Sequence, residues 1–436
     1  MNLPLKTETE QAIAAAWHLD SARASLARWL EVRRKEQWDE IPVSMPLLIK
    51  LFGASWYFTR YLFFRGQKGA ELVDHALEEN FSSDRFIARL APAVQEPDPE
   101  QGFERLRLLK NELMLQILLV HLEGRLDQEQ TERRLTMLAD VALEMALRIS
   151  GLHEATGCRL AVLGMGRMAG YEMTFGSDLD LIFLFEAEMD EIVAATSRKV
   201  RLLLRHLAAA SSAGLLYEVD MRLRPHGTAG ALLTSNRAFL EYHREEKEIW
   251  ERQMMTRCRC VYDERHLGQD TLTQVQSYIY ADYDAEYLRR EIAAMRQRVL
   301  NEKGSPRNKL DIKRGKGGIM DIDFLTHYLQ LKHGAEVVGL RTCSTRQALR
   351  VLAEARLLTS DVVGTLLQAY AFLKSVESCV RLFDMKPIST IPADHRENAA
   401  PAMATGFGRD TEAFMENYLA TTRTVRGEFE IIFAEP

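Results

Sequence analysis

The chain has 436 residues, of which 47% are hydrophobic and 27% charged, and its formal net charge is −6. This length predicts two or three domains, and the ordinary composition argues against extensive disorder. The negative charge argues against sequence-independent binding to nucleic acid, which requires a strongly basic face.

Neither export nor membrane insertion is indicated by the sequence. The first nine residues are polar and lack the hydrophobic core of a signal peptide. The most apolar stretch, residues 45–64, is interrupted by Lys50 and Arg60, so it predicts a buried helix and not a membrane span. The five cysteines include no Cys-x-x-Cys pair, which favours reduced thiols in a cytoplasmic protein.

Residues 1–150 are expected to form a helical N-terminal region. Apolar residues recur there at three- and four-residue spacing, for example over residues 22–29 and 106–126. An acidic, proline-containing run at residues 95–100 marks a break between helices.

The hydrophobic period changes near residue 158, where a catalytic domain over residues 151–284 is expected to begin. Strand-like runs occur at residues 159–163, 179–185 and 215–223, and a helical stripe lies between the second and the third. Trp250 lies in a later amphipathic segment and is expected to belong to the core. Residues 285–436 predict a C-terminal helical bundle with one strand candidate at residues 310–313. The fold class is therefore α+β, with a small sheet flanked by helices.

The most informative motif is Gly176-Ser-Asp-Leu-Asp180, which opens a strongly apolar strand. Side chains two residues apart on a strand point to the same face, so Asp178 and Asp180 should lie side by side. Two such carboxylates repel unless a cation lies between them. Mg²⁺ suits this position because it prefers oxygen ligands and binds phosphate; Mn²⁺ is an alternative.

A third carboxylate, Asp220, lies in the next strand-like run. If the two strands are neighbours, the three aspartates converge and can bind two metal ions for catalysis. Gly176 and Ser177 are expected to seat a triphosphate. An isolated Asp-x-Asp is more often a solvated turn, but the complete set is typical of polymerase-β-like nucleotidyltransferases.

Four basic residues are further candidates for binding the nucleotide: Arg167, Arg222, Arg224 and Lys313. Arg222 and Arg224 alternate with apolar residues after Asp220, and the alternative is a pair of surface salt bridges. Arg167 lies in a glycine-rich loop that is too loose for a dinucleotide-binding motif. Lys313 precedes a glycine-containing turn at a predicted helix N-terminus, which suits an anion.

Three long blocks, at residues 163–183, 217–230 and 310–324, resemble the glutamine synthetase adenylyltransferase family in order and spacing. The similarity extends over roughly residues 45–385. Arg167 and Ala169 depart from the family pattern, which usually shows Lys and Gly there.

Full-length members of this family carry two such halves, one attaching AMP to a tyrosine of glutamine synthetase and one removing it by phosphorolysis. The chain has the length of one half, and its blocks resemble the attaching half more. The resemblance implies ATP as substrate, glutamine synthetase as protein substrate and a PII-type signal protein as a candidate partner. The alternatives are the reverse reaction, a non-catalytic regulatory homologue and, disfavoured by the acidic balance, a nucleotidyltransferase acting on RNA.

Overall fold

The computed structural model describes residues 3–37, 43–78, 81–153, 157–245, 248–302 and 308–434. Within these ranges no helix is both long enough and apolar enough to cross a membrane.

The N-terminal region is helical, as the sequence predicts. Its α-helices are α1 (Leu3–Ala14), α2 (Leu19–Lys35), α3 (Met45–Ala54), α4 (Trp56–Arg65), α5 (Gln67–Asp74), α6 (Ser83–Leu90), α7 (Pro99–Leu122) and α8 (Gln128–Ile149). The apolar stretch predicted as one buried helix forms two helices, because Ser55 adopts an extended conformation between them. Its hydroxyl caps α4 by accepting the Phe58 N–H at 3.2 Å.

A mixed sheet occupies the centre of the described chain. Its strands are β1 (Cys158–Met165), β2 (Leu179–Ala187), β3 (Val219–Asp220), β4 (Leu233–Ser235) and β5 (Cys258–Asp263). β2 pairs antiparallel with β1, which also pairs antiparallel with β5. The other edge of β2 pairs in parallel with β3 near its start and with β4 near its end.

The sheet lies between two hydrophobic cores because its strands are apolar on both faces. Leu181 and Phe183 pack with the N-terminal helices, whereas Ile182 and Leu184 pack with the C-terminal helices. Each fully buried side chain of this kind contributes roughly 1.5–3 kcal/mol. By the same alternation, Asp180 lies on the face that the C-terminal helices cover.

Helices of the central region are α9 (Gly166–Ala169), α10 (Asp190–Ala208), α11 (Asn236–Arg244), α12 (Ile249–Met255) and α13 (Leu267–Ile279). The C-terminal region contains α14 (Ala285–Glu302), α15 (Ile319–His333), α16 (Thr345–Glu354), α17 (Ser360–Leu382), α18 (Ala399–Ala404) and α19 (Thr411–Ala434). It also contains the antiparallel pair β6 (Lys309–Asp311) and β7 (Thr390–Pro392). The α+β class and the helical C-terminal region are thus confirmed.

The strand predicted over residues 215–223 is much shorter in the structure, where β3 covers two residues. The chain turns immediately after β3 because the Asp220 carboxylate accepts the backbone N–H of Arg222 at 2.8 Å. This local hydrogen bond replaces the next bond of a strand ladder. Arg222 and Arg224 therefore lie in a turn and not on a strand face.

Candidate active site

Asp178, Asp180 and Asp220 meet at the start of β2, as the sequence predicts. Asp180 and Asp220 are directly paired in the parallel register of β2 and β3. One carboxylate oxygen from each of the three residues lies within 4.8 Å of the others. Asp178 is exposed, and the other two are partly buried. This cluster can present oxygen ligands to a divalent cation from one side while leaving the other side open.

The three carboxylates repel one another in this arrangement. Burial, together with the charges of Asp178 and Asp220, raises the pKa of Asp180 to about 7. Lys313 and Arg222 offset this shift only in part. A cation between the carboxylates would relieve the repulsion, so the residues present fit a divalent metal ion.

Two glycines allow the main chain to approach the aspartate cluster. Gly166 has φ +56°, and a Cβ there would lie 2.8 Å from Oδ2 of Asp180. Gly176 has φ +69°, and a Cβ there would lie 3.0 Å from the carbonyl carbon of Met385. Both positions therefore require glycine for conformation and for space. At Gly176 the close neighbour is main chain from the C-terminal region.

Ser177 is buried within the tight turn that precedes Asp178. Its backbone N–H donates to the Thr174 carbonyl at 3.1 Å, and its hydroxyl accepts the Thr174 N–H at 2.9 Å. These bonds fix the turn that carries the cluster. The predicted contact of Gly176 and Ser177 with a triphosphate remains a prediction.

A cleft of about 320 Å³ opens beside Asp180 on the face covered by the C-terminal helices. Its lining includes charged side chains, among them Asp180, Arg167 and Lys313. The remaining wall is mainly apolar and comprises Leu223, Trp250, Met254, Met295, Val299, Met320 and Phe324. Such a combination of apolar and charged side chains suits a ligand with a flat base and a phosphate tail.

Lys313 and Arg167 bring positive charge to the cleft. Burial and the neighbouring Arg167 lower the pKa of Lys313 to about 8. Arg167 donates to the Tyr370 hydroxyl at 2.5 Å and to Glu172 at 3.3 Å, and one of its nitrogens lies 3.4 Å from an Asp323 oxygen. Arg167 is therefore held by acidic partners at the wall of the cleft.

Glu172 is the centre of a buried network behind the cleft. It accepts hydrogen bonds from Arg257, from the Tyr370 hydroxyl at 2.7 Å and from the Thr345 N–H at 3.0 Å. Burial alone would raise its pKa, but Arg257 and Arg167 outweigh that effect and hold the pKa at about 2. The Arg257 guanidinium also donates to the Gly166 carbonyl at 3.2 Å. The network thus joins the C-terminal helices to the loop beside Asp180.

Arg222 and Arg224 have different surroundings, although the sequence suggested one role for both. Arg222 is largely exposed, and its Nε donates to the Asp220 carboxylate at 2.8 and 3.0 Å. This contact lowers the pKa of Asp220. Arg224 instead donates to the carbonyls of Met221 at 2.6 Å and Gly230 at 3.1 Å, so it braces the loop after β3.

A second, open depression of about 430 Å³ borders the cluster, and Asp180 is not among its lining residues. It is lined by Asp178, Asp220, Glu218 and Arg222, together with the adjoining turn. Asp180 thus lines the apolar cleft, whereas Asp178 and Asp220 line the polar depression.

Comparison with known proteins assigns the chain to a family. The family model described as "Glutamate-ammonia ligase adenylyltransferase" matches residues 45–274. The chain belongs to this family. The family match contains all three aspartates, the Gly176-Ser177 turn and Trp250, whereas residues 286–433 match the model described as "GlnD PII-uridylyltransferase".

Curated relatives support the family assignment. A bifunctional glutamine synthetase adenylyltransferase/adenylyl-removing enzyme of Chromobacterium violaceum is 31% identical over 364 residues, covering 80% of this chain and 40% of the relative. A protein of the same name from Burkholderia pseudomallei is 29% identical over 386 residues, covering 85% and 42% respectively. The chain therefore spans about two-fifths of the length of these relatives.

Sequence reasoning missed several residues of the site. Trp250, expected in the core, is 42% exposed and lines the cleft, so that expectation was wrong. Glu172, Tyr370 and Asp323 were not among the sequence-based candidates. Trp250 and Met254 are four residues apart on a helix, and this spacing could have predicted that their side chains lie on the same helix face. Tyr370 carried no local signal, because its partners are remote in sequence.

Proposed function

We propose that this chain transfers AMP from ATP to a tyrosine hydroxyl of glutamine synthetase. The observation that carries the proposal is the convergence of Asp178, Asp180 and Asp220 at the mouth of an apolar cleft. In this nucleotidyltransferase reaction, the tyrosine hydroxyl attacks the α-phosphorus of ATP and pyrophosphate leaves.

ATP would lie in the cleft with its base against Trp250 and Phe324. Its phosphates would extend toward Asp180, where Lys313 and Arg167 supply positive charge and the Gly176-Ser177 turn borders the cluster. Arg222, whose side chain is 74% exposed and hydrogen-bonded to Asp220, is the further candidate for contact with the phosphates. Arg224 would act indirectly, by fixing the loop.

The cluster would hold two Mg²⁺ ions, or Mn²⁺ in their place. Asp178 and Asp180 would contact both ions, and Asp220 would contact the one nearer the attacking hydroxyl. When bound, the ions supply charge that lowers the hydroxyl's pKa and stabilises the departing pyrophosphate. Asp220 would also accept the hydroxyl proton, since it borders the open depression from which a protein side chain can approach.

The reverse reaction is the second candidate, because the relatives' printed name includes adenylyl removal. In that reaction phosphate would attack the α-phosphorus of the tyrosine adenylate, releasing ADP. The match of residues 286–433 to a PII-uridylyltransferase model supports a further proposal, that a PII-type signal protein binds the C-terminal region.

The test uses ATP labelled at the α-phosphate, Mg²⁺ and candidate glutamine synthetase. We expect label on glutamine synthetase and none with the Asp180→Asn variant. A parallel reaction with adenylylated glutamine synthetase and phosphate is assayed for ADP. Absence of both products, with a correctly folded chain and confirmed ATP binding, would contradict the proposal and favour a non-catalytic regulatory role.

A further inference from the structure

A separate cavity of about 110 Å³ lies behind the turn that carries Gly176 and Ser177. It shares no lining residue with the apolar cleft. Its volume is several times that of one water molecule. The cavity is bounded by α4, α7, α8, the turn before β2, the chain entering β3 and the segment after α17. These elements contribute Tyr57, Lys110, Met114, Leu135, Met173, Thr174, Leu215, Leu216, Tyr217, Glu218, Asp384, Met385 and Pro387 as well as the turn itself.

Lys110, on α7, is the charged group of this cavity that lies deepest in the fold. It is only 2% exposed. Its ammonium donates to Oδ1 of Asn111 at 2.9 Å and lies 4.7 Å from the centre of the Tyr217 ring. Among the described residues, no carboxylate lies within the 4.0 Å of an ion pair with it. A buried ammonium without an opposite charge is costly, and an anion would offset that cost.

The electrostatic surroundings of Lys110 strengthen this expectation. Burial, followed by the positive charge of Arg107, lowers the pKa of Lys110 to about 7. Its ammonium has three N–H donors, of which the described contacts use one. The remaining donors can serve a ligand.

Tyr217 offers a second polar group at the same cavity. Its side chain is buried, and its hydroxyl has no hydrogen-bond partner among the described residues. Buried polar groups are nearly always hydrogen-bonded, so such an exception indicates a missing partner. Lys110 and Tyr217 together provide donors that the protein itself does not satisfy.

We propose that this cavity binds a small oxyanion, with Lys110 as its counter-charge and Tyr217 as a hydrogen-bond donor. The chemistry is that of inorganic phosphate or a short carboxylate, because the cavity is small and Lys110 is the one cation among the residues that line it. Two carboxylates also line it, Glu218 and Asp384, and Asp384 has Lys386 as an ion-pair partner at 3.5 Å. Glu218 lines both this cavity and the open depression beside Asp178 and Asp220. A bound anion would therefore lie next to the elements that position the aspartates. This inference goes beyond the proposed function and does not require it.

The experiment measures binding of radiolabelled phosphate by equilibrium dialysis, without ATP or divalent metal, and then competition by acetate. The apolar cleft can also attract phosphate through Lys313, so Lys313→Met is the background in which the cavity is measured. We expect this background to retain one site, Lys110→Met to remove it and Tyr217→Phe to weaken it about fivefold. Competition by acetate identifies a general oxyanion site, whereas its failure assigns the site to phosphate.

A second measurement covers the case in which Lys110→Met fails to fold. The pKa of the Lys110 ammonium, followed by NMR in the Lys313→Met protein, should rise when phosphate is added. An unchanged pKa, an absent site in the Lys313→Met protein or normal phosphate binding by folded Lys110→Met would each overturn the inference. Neither measurement involves AMP transfer. A result that contradicts the anion site can therefore be distinguished from one that contradicts the proposed function.

Discussion

The Arg222 guanidinium holds the carboxylate of Asp220 through both of its oxygens. The pair is bidentate, and the turn after β3 brings the two side chains together within two residues. Arg222 thus neutralises Asp220, one of the two aspartates that line the open depression. The same contact uses oxygen lone pairs that a metal ion would need.

Removing Arg222 should therefore strengthen metal binding to the nucleotide-free protein. We expect Arg222→Ala to bind Mn²⁺ about two- to fivefold more tightly, the size typical of an exposed ion pair. Electron paramagnetic resonance of free Mn²⁺ measures this change. Arg237→Ala, which breaks an exposed pair with Glu241 far from the cluster, is the control and should leave the affinity unchanged. Weaker Mn²⁺ binding by Arg222→Ala would show that the contact organises the site.

Asp180→Asn should reduce AMP transfer by at least about a thousandfold, equivalent to about 4 kcal/mol in the transition state. It should not lower the melting temperature measured in EDTA at pH 8. The raised pKa of Asp180 means that its charge destabilises the folded, metal-free protein above pH 7, and the amide has no such charge. A clear loss of stability in Asp180→Asn would make the activity result uninterpretable and contradict the electrostatic argument.

Trp250→Ala should raise the KM for ATP about tenfold, because stacking on a nucleobase contributes roughly 1–3 kcal/mol. The side chain is 42% exposed, so the free energy of unfolding should change little. Steady-state kinetics and urea denaturation together check the prediction. Trp250→Phe keeps an aromatic ring and should restore most of the affinity. An unchanged KM in the alanine variant would exclude the base from this part of the cleft.

Glu172→Gln should lower the free energy of unfolding by about 3–5 kcal/mol. The substitution removes the main anionic partner of the buried Arg257 guanidinium and one of the anionic partners of Arg167, and uncompensated buried charges are strongly destabilising. Urea denaturation measures the loss. Glu241→Gln, at the exposed surface pair with Arg237, should change stability by less than about 1 kcal/mol. An equal loss of unfolding free energy in the two variants would contradict the proposal that the buried network stabilises the fold.

The buried imidazole of His327 predicts a loss of stability in mild acid. Burial lowers its pKa from 6.5 to about 4, so the unfolded chain gains a proton before the folded chain does. Stability from this group is complete above pH 6.5 and is lost progressively as pH falls toward 4. The contribution lost between pH 7 and pH 5 is about 2 kcal/mol. His327→Gln should show a correspondingly flatter stability profile over that interval; a profile parallel to the unmodified protein would contradict this assignment.

The aspartate cluster could be predicted from sequence because its determinants are local. The period-two pattern places Asp178 and Asp180 on one side of β2, and the parallel pairing of β2 with β3 brings Asp220 to them. The alternation of apolar residues likewise indicated a sheet between helices. Both inferences depend on backbone geometry that holds wherever a strand forms.

The buried network could not be predicted because its members are distant in sequence. Glu172 and Arg257 are 85 residues apart, and Arg257 and Asp323 are separated by a further 66. An acid at the start of a helix has a sufficient local explanation, so nothing in the sequence pointed Asp323 toward the cleft. Trp250 could not be placed from sequence for a different reason. An aromatic residue that lines a ligand cleft has the same hydrophobicity as one in the core, so the sequence pattern does not distinguish the two.

The contact between Gly176 and the main chain at Met385 has a consequence for synthesis of the protein. The turn that supports the aspartates rests on a segment that leaves the ribosome 209 residues later (385 minus 176). Since chains fold progressively from the N-terminus as they are made, the sheet can form early while its catalytic edge lacks this support. A nascent chain is therefore expected to complete the support of this turn only after α17 and the segment that follows it have emerged.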